Sequence, residues 1–221
     1  MSLFVHITTF LAPFVLQSNI ADVARAGEQE RLAACLEKTQ SAPEEAYEDG
    51  LAWMAEANRP LARHCTAIAL IELGKFAEGA ARLEALANAS DGGLIEQRAV
   101  YLAQSGNAWL LARKYEAAEL TLTNAIRLAP TQNELYKDRA RARLVLENWL
   151  GADEDLTQSL RLKANDVDAL NMRARARLSL GDSSMAYQDV QIARELEPEN
   201  IDTLVLRGEV REALRKSGEL D

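Results

Sequence analysis

Only two histidines and two cysteines occur in 221 residues, and that scarcity removes most chemistry at the outset. A catalytic or metal centre needs several titratable or ligating groups that converge at fixed spacings. His6 sits in an apolar N-terminal run and His64 stands alone, so neither has company of that kind. No HExxH, GxSxG, glycine-rich phosphate loop or acidic calcium loop occurs. The residues thus point to no enzyme, no metal and no cofactor. Aromatics are only 5% of the chain, β-branched residues are few, and Ala and Leu are plentiful. That mixture favours helices, because Ala and unbranched side chains lose little rotamer freedom there. A basic excess is missing as well. The formal net charge is -9, which argues against nucleic acid and anionic membranes, since binding them means neutralising phosphates with Lys and Arg.

Long apolar runs are also absent. The longest, Ser2 to Leu16, is too short to span a bilayer. Followed by QSN and then small residues, it reads as the apolar core of a secretory signal segment covering residues 1–26, with Ala24-Arg25-Ala26 as the small-x-small cleavage pattern. On that reading the mature chain begins at Gly27 and is periplasmic or secreted. Against it, no Lys or Arg precedes the run. The other reading is a hydrophobic N-terminal helix that caps a cytoplasmic protein.

What the chain does contain is a period. RARARL at Arg139 to Leu144 returns at Arg173 to Leu178, 34 residues later. The same offset relates Ala118, Ala152 and Ala186, and it links Gly106, Ala140, Ala174 and Gly208. A fixed period of this size marks a stacked repeat array. Units begin at Ala99, Asn133 and Val167, a partial one begins at Ile201, and an earlier one begins at Pro60, five residues ahead of register. Ser90-Asp-Gly-Gly93 stands where those extra residues belong.

In these columns the chain resembles the tetratricopeptide repeat, a helix–turn–helix unit of 34 residues, from Pro60 onward. Its eighth place needs a small residue and finds Ala67, Gly106, Ala140, Ala174 and Gly208. Its twentieth place finds Gly79, Ala118, Ala152 and Ala186. The large residue opening the second helix is Phe76, Tyr115 and Trp149, with Ser183 as an exception that predicts looser packing. Leu83, Leu122, Leu156 and Val190 fill the next core site, and Pro130 and Pro198 close two units, where proline cannot continue a helix. The resemblance implies an all-α, right-handed superhelical solenoid. Units span 60–98 (with the insertion), 99–132, 133–166 and 167–200, and 201–221 forms a C-terminal capping helix. Upstream, residues 27–59 read as a diverged helix pair over Gln29 to Lys38 and Pro43 to Ala57. Terminal units of an array are commonly atypical.

The resemblance also implies a function: a non-catalytic scaffold or adaptor that holds a peptide segment or protein surface in its concave groove. The alternative is an assembly subunit that associates through its ends or convex face, as in a homo-oligomer. Opening helices line the groove in this fold, which makes Asn107, Lys137, Arg141, Asn171 and Arg175 the candidate binding residues, over an apolar floor that includes Leu110, Leu111, Leu144 and Leu178. Basic and amide groups on such a floor suit an extended peptide with acidic side chains or a free carboxylate. One subfamily grips chaperone C-termini through Lys and Asn at set places. Here only Asn107 fits, because the other places hold Ala103, Asp138, Asp168 and Met172. A row of Arg139, Arg173 and Arg207 reads as structural, since Asp155 and Asp189 recur with the same period on second helices and a bidentate pair can hold a guanidinium between units. Cys35 and Cys65 each fall on a helix that opens a unit. In an exported chain they read as a disulfide that staples the diverged pair to the array, and in a cytoplasmic one as small buried residues.

Overall fold

The computed structural model describes residues 13–219. Those residues form eleven helices: α1 (Pro13–Ser41), α2 (Pro43–Glu56), α3 (Pro60–Glu72), α4 (Phe76–Asn88), α5 (Ile95–Leu111), α6 (Tyr115–Leu128), α7 (Asn133–Val145), α8 (Trp149–Leu162), α9 (Val167–Ser179), α10 (Ser183–Leu196) and α11 (Ile201–Ser217). Each helix packs on the next, and successive opening helices (α5 on α7, α7 on α9, α9 on α11) also touch, whereas successive second helices diverge. The stack therefore curves into a superhelical solenoid with its opening helices on the inner side.

Local signals fix the boundaries. Pro43 and Pro60 occupy first turns, where the missing N–H costs nothing. Asn148, Asp166 and Asn200 cap α8, α9 and α11 by accepting from Gly151, Ala169 and Thr203 N–H groups at 3.0–3.1 Å. Opening and second helices are joined by one recurring turn, in which an N–H reaches back five places: Lys75 to Leu70 O, Lys114 to Trp109 O, Asn148 to Arg143 O and Asp182 to Arg177 O. The residue before that N–H is left-handed in every unit: Gly74 (φ 75°), Arg113 (φ 57°), Glu147 (φ 58°) and Gly181 (φ 86°). Two units thus use a side-chain-bearing residue where glycine is preferred, at a cost of about 1–2 kcal/mol each.

The small-residue columns are where helices come closest. A Cβ on Gly106 would lie 2.5 Å from Leu122 Cγ, and one on Gly79 would lie 2.8 Å from the Ala67 carbonyl oxygen. Ala118, Ala152, Ala186, Leu83, Leu122, Leu156 and Val190 are fully buried. Ser183 is buried too, although it is smaller than its half-buried counterparts Phe76, Tyr115 and Trp149.

Two boundaries differ from the sequence reading. The extra residues before unit two are only partly loop: α5 begins at Ile95, four residues ahead of the repeat register, so most of the insertion lengthens a helix. Its start is held by Gln97 Oε1, which accepts from Leu94 N–H at 2.9 Å. At the N-terminus, the described residues are helical already from Pro13, not only from near Gln29, and α1 passes through Ala26 and Gly27 unbroken. No proline lies between Pro13 and Pro43, and a single glycine costs a helix only about 1 kcal/mol. The first part of the signal reading, residues 1–12, lies outside the described residues. No helix of the described residues is long and apolar enough to cross a membrane.

The diverged pair α1–α2 is tied to α3 covalently. Cys35 and Cys65 form a disulfide, with 6.0 Å between their Cα atoms. Trp53, Ala62 and the two cysteines build a small core of their own. Gly50 allows the approach, since a Cβ there would come within 2.9 Å of Cys65 Sγ. Outside this core, Arg31 pairs with Glu56, Arg59 with Glu28, and Lys38 with Glu45 and Asp49.

Candidate functional site

The inner face is built from α5, α7, α9 and α11. Its exposed rows are the aliphatic Leu111 and Val145, flanked by half-buried Leu110, Leu144 and Leu178, and a polar row of Asn107, Arg141, Arg175 and Glu209. Near the start of α5 and α7 an apolar hollow of about 370 Å³ opens between Val100, Ala103, Leu128 and Leu135, with Glu96 and Glu134 at its rim.

The five groove candidates separate. Asn107 and Arg175 are exposed, and Arg175 makes no ion pair among the described residues. Arg141 is half-exposed but already engaged, by Asp138 on its own helix and Asp168 on α9. Lys137 and Asn171 are mostly buried and held by partners within the fold, although both still line a polar hollow of about 320 Å³ with Asp166, Asp168 and Asn200. Lys137 is buried, with Nζ 2.9 Å from Asp166 and 2.8 Å from Glu134. Burial works against its ammonium, but the two carboxylates outweigh that and raise its pKa. Asn171 is buried and exchanges hydrogen bonds with Thr203 of α11 at 2.9 and 3.1 Å. Both occupy the fifth place of their unit, and each is held by a residue at the start of the next opening helix, Asp166 capping α9 and Thr203 in α11. Burial pushes the Asp138 carboxyl up, against the pull of Arg141.

The structural arginines form a regular lattice. Arg139 Nε and Nη2 donate to both oxygens of Asp155, at 2.8 and 2.6 Å, and Nη1 donates to Thr123 of the preceding unit. Arg173 repeats every contact with Asp189 and Thr157. The second row, Arg143 and Arg177, joins the same carboxylates: Arg143 reaches Asp155 and Glu119, and Arg177 reaches Asp189 and Asp153. Each buried aspartate thus sits between two guanidiniums. In the unit before, the corresponding places hold Ser105, Thr121 and Trp109. There Trp109 Nε1 and Thr121 Oγ1 donate to Glu84, and Ser105 Oγ donates to the Ala80 carbonyl. The aspartate lattice is therefore confined to the C-terminal half.

His64 is buried, with Nε2 2.8 Å from Gln104 Oε1 and its ring against Tyr101. Burial lowers its pKa despite the Gln104 contact. Among the described residues no three His, Cys, Asp or Glu side chains are placed to hold a metal.

No family model matches the chain, and no curated protein matches it either. Solved structures do. MamA 41-end from Desulfovibrio magneticus RS-1 aligns over 79% of this chain and 95% of its own, with TM-score 0.65 and 18% identity. The second TPR domain of human RPAP3, in complex with the HSP70 peptide SGPTIEEVD, aligns over 53% of this chain and 98% of its own, with TM-score 0.52 and 27% identity. The Arabidopsis OM64 TPR domain aligns over 54% and 98%, with TM-score 0.53 and 27% identity. With the helix pairs, the small-residue columns and these neighbours together, the chain is a tetratricopeptide-repeat solenoid, the architecture of a protein-interaction scaffold.

Proposed function

We propose that this protein is a non-catalytic scaffold that holds a peptide segment or a protein surface against its inner face. The observation that carries this reading is the pairing of Leu111 and Val145, both more than half exposed, with Arg175, a guanidinium left free while its neighbours are bound into the lattice. An apolar strip beside a free cation suits a partner with aliphatic anchors and a carboxylate. The apolar hollow beside Val100 takes one such anchor. RPAP3 supports the general mode, since its repeat is solved with a bound peptide. It does not support the same partner: of the chaperone-clamp places only Asn107 fits, while Asp138 and Met172 are buried and Asp168 has the wrong charge. We further propose that the chain works outside the cytoplasm, a reading supported by the apolar start and by the bonded cysteines.

The test is a face comparison. Leu111→Glu with Val145→Glu should abolish capture of the partner from the native compartment, with helical content unchanged. Leu120→Glu with Leu150→Glu, equally exposed side chains on second helices, should leave capture intact. The reverse pattern would move the binding surface to the outer face.

A further inference from the structure

The extra turn that opens α5 does more than lengthen a helix. Helices α7 and α9 begin at the first place of their units, Asn133 and Val167, and a start in register would put the first residue of α5 at Ala99. The chain turns helical earlier, at Ile95. That added turn stands at one side of the apolar hollow of about 370 Å³, whose floor is Ala99, Val100 and Ala103 of α5 with Leu128 of α6 and Leu135 of α7. Ala99 and Leu135 are buried, whereas Val100 is 50% exposed at the mouth.

The rim carries charge of one sign, Glu96 on the added turn and Glu134 at the start of α7. The two glutamates differ. Glu134 is engaged, with Lys137 Nζ at 2.8 Å and Lys163 Nζ at 3.9 Å, and the same two lysines also meet Asp166. Two cations thus balance two carboxylates there. Glu96 is exposed and makes no ion pair among the described residues. The charge left uncompensated at this rim therefore belongs to the turn that departs from the repeat register.

An apolar floor beside one free carboxylate suits an alkyl chain that ends in a cation. The stem displaces water from the floor, and the head reaches past it to the carboxylate, as long basic side chains do along apolar surface. A plain aliphatic side chain would use the floor and leave Glu96 idle, and an acidic one would be repelled by it.

We propose that this hollow receives a lysine or arginine side chain of the partner, with its stem on Val100, Ala103 and Leu135 and its cationic head at Glu96. The proposal rests on the inner face being the binding face and deepens that reading: one of the partner's aliphatic anchors is the stem of a basic residue. A cation held at α5 and a carboxylate held at Arg175 of α9 fix the direction in which an extended partner runs along the stack. Reversed, the partner would bring like charges together.

The hollow is tested without a partner, by methyl NMR of the full chain titrated with n-pentylammonium and, in parallel, with pentan-1-ol and pentanoate. The ammonium should shift the methyls of Val100, Leu128 and Leu135 saturably. It should bind about two- to fivefold more tightly than the alcohol and lose that margin in high salt. Pentanoate should bind more weakly than the alcohol. Glu96→Gln, a change at an exposed side chain, should bring ammonium and alcohol to equal affinity, and Ala103→Leu should weaken both by filling the floor. Hollow methyls that do not respond to the ammonium overturn the proposal. So does equal binding of ammonium and alcohol in the wild type, which would make this a site for an aliphatic anchor alone, and so does a margin that survives in Glu96→Gln. Val100 and Leu111 lie roughly 16 Å apart along α5, and the groove reading is decided by capture with the Leu111 and Val145 variants, so failure of one is distinguished from failure of the other.

Discussion

Asp189→Ala should be among the most damaging single changes to this fold, lowering stability by about 3–5 kcal/mol. Its carboxylate is 1% exposed and accepts from Arg173 through both oxygens and from Arg177 through one. Removing it leaves Arg173 with only a threonine hydroxyl and strips Arg177 of one of two acids. A buried guanidinium without its anion cannot deprotonate to escape the cost. Stability in a solenoid is passed between nearest neighbours, so the loss should concentrate in α9, α10 and α11 and spare the N-terminal units. Urea denaturation of the full chain, with hydrogen exchange to locate the weakened helices, measures both. A loss below about 1 kcal/mol, typical of exposed ion pairs, would mean that the lattice is incidental to the packing.

The second large effect is expected from the disulfide. Reduction, or Cys35→Ser with Cys65→Ser, should cost about 3–4 kcal/mol, because the bond closes a sequence separation of 30 residues and so restricts the unfolded chain. The damage should be local. α1 and α2 lack the repeat columns and rest on a core of two cysteines, Trp53 and Ala62, so they should detach while α5 to α11 stay folded. Trp53 is 2% exposed, and its fluorescence on titration with reductant, followed on a Trp109→Phe, Trp149→Phe background, reports that detachment. Reduced protein whose tryptophan stays buried at the same urea concentration would show that the ion pairs around α1 suffice without the bond.

Much of this architecture is legible in the residues because the repeat forces it to be. Ala140 and Ala174 recur where helices touch, and Arg173 recurs with Asp189 because the geometry that pairs them is copied every 34 residues. The groove was less legible. Lys137 and Asn171 share a column with residues that face the groove in the wider family. Their fate here is decided where the next opening helix begins: Asp166, the N-cap of α9, reaches back to Lys137, and Thr203 in the first turn of α11 to Asn171. A column rule cannot see a partner that belongs to one particular neighbour. The second arginine row shows the converse. Arg143 and Arg177 recur visibly, but one aspartate already has an obvious partner in Arg139 or Arg173, and only the packed structure shows that it serves two. The start of α1 escaped for a different reason. The stretch from Phe14 to Glu28 has no column to match, and its single glycine, Gly27, is too weak a breaker to stop a helix.

Two arginines on one turn of α9 give the most direct test, because they are assigned opposite roles. Arg173 points between helices and Arg175, two residues on and about 200° around the axis, points into the groove. Arg173→Ala and Arg175→Ala, denatured side by side and assayed for partner capture, separate the lattice from the binding face. Arg173→Ala should lose about 1–3 kcal/mol, the range for hydrogen bonds to charged groups. Arg175→Ala should stay within about 0.5 kcal/mol of the wild type and yet weaken capture. Equal losses of stability, or capture untouched by Arg175→Ala, would contradict the division between the arginines that hold the solenoid and the one that meets its partner.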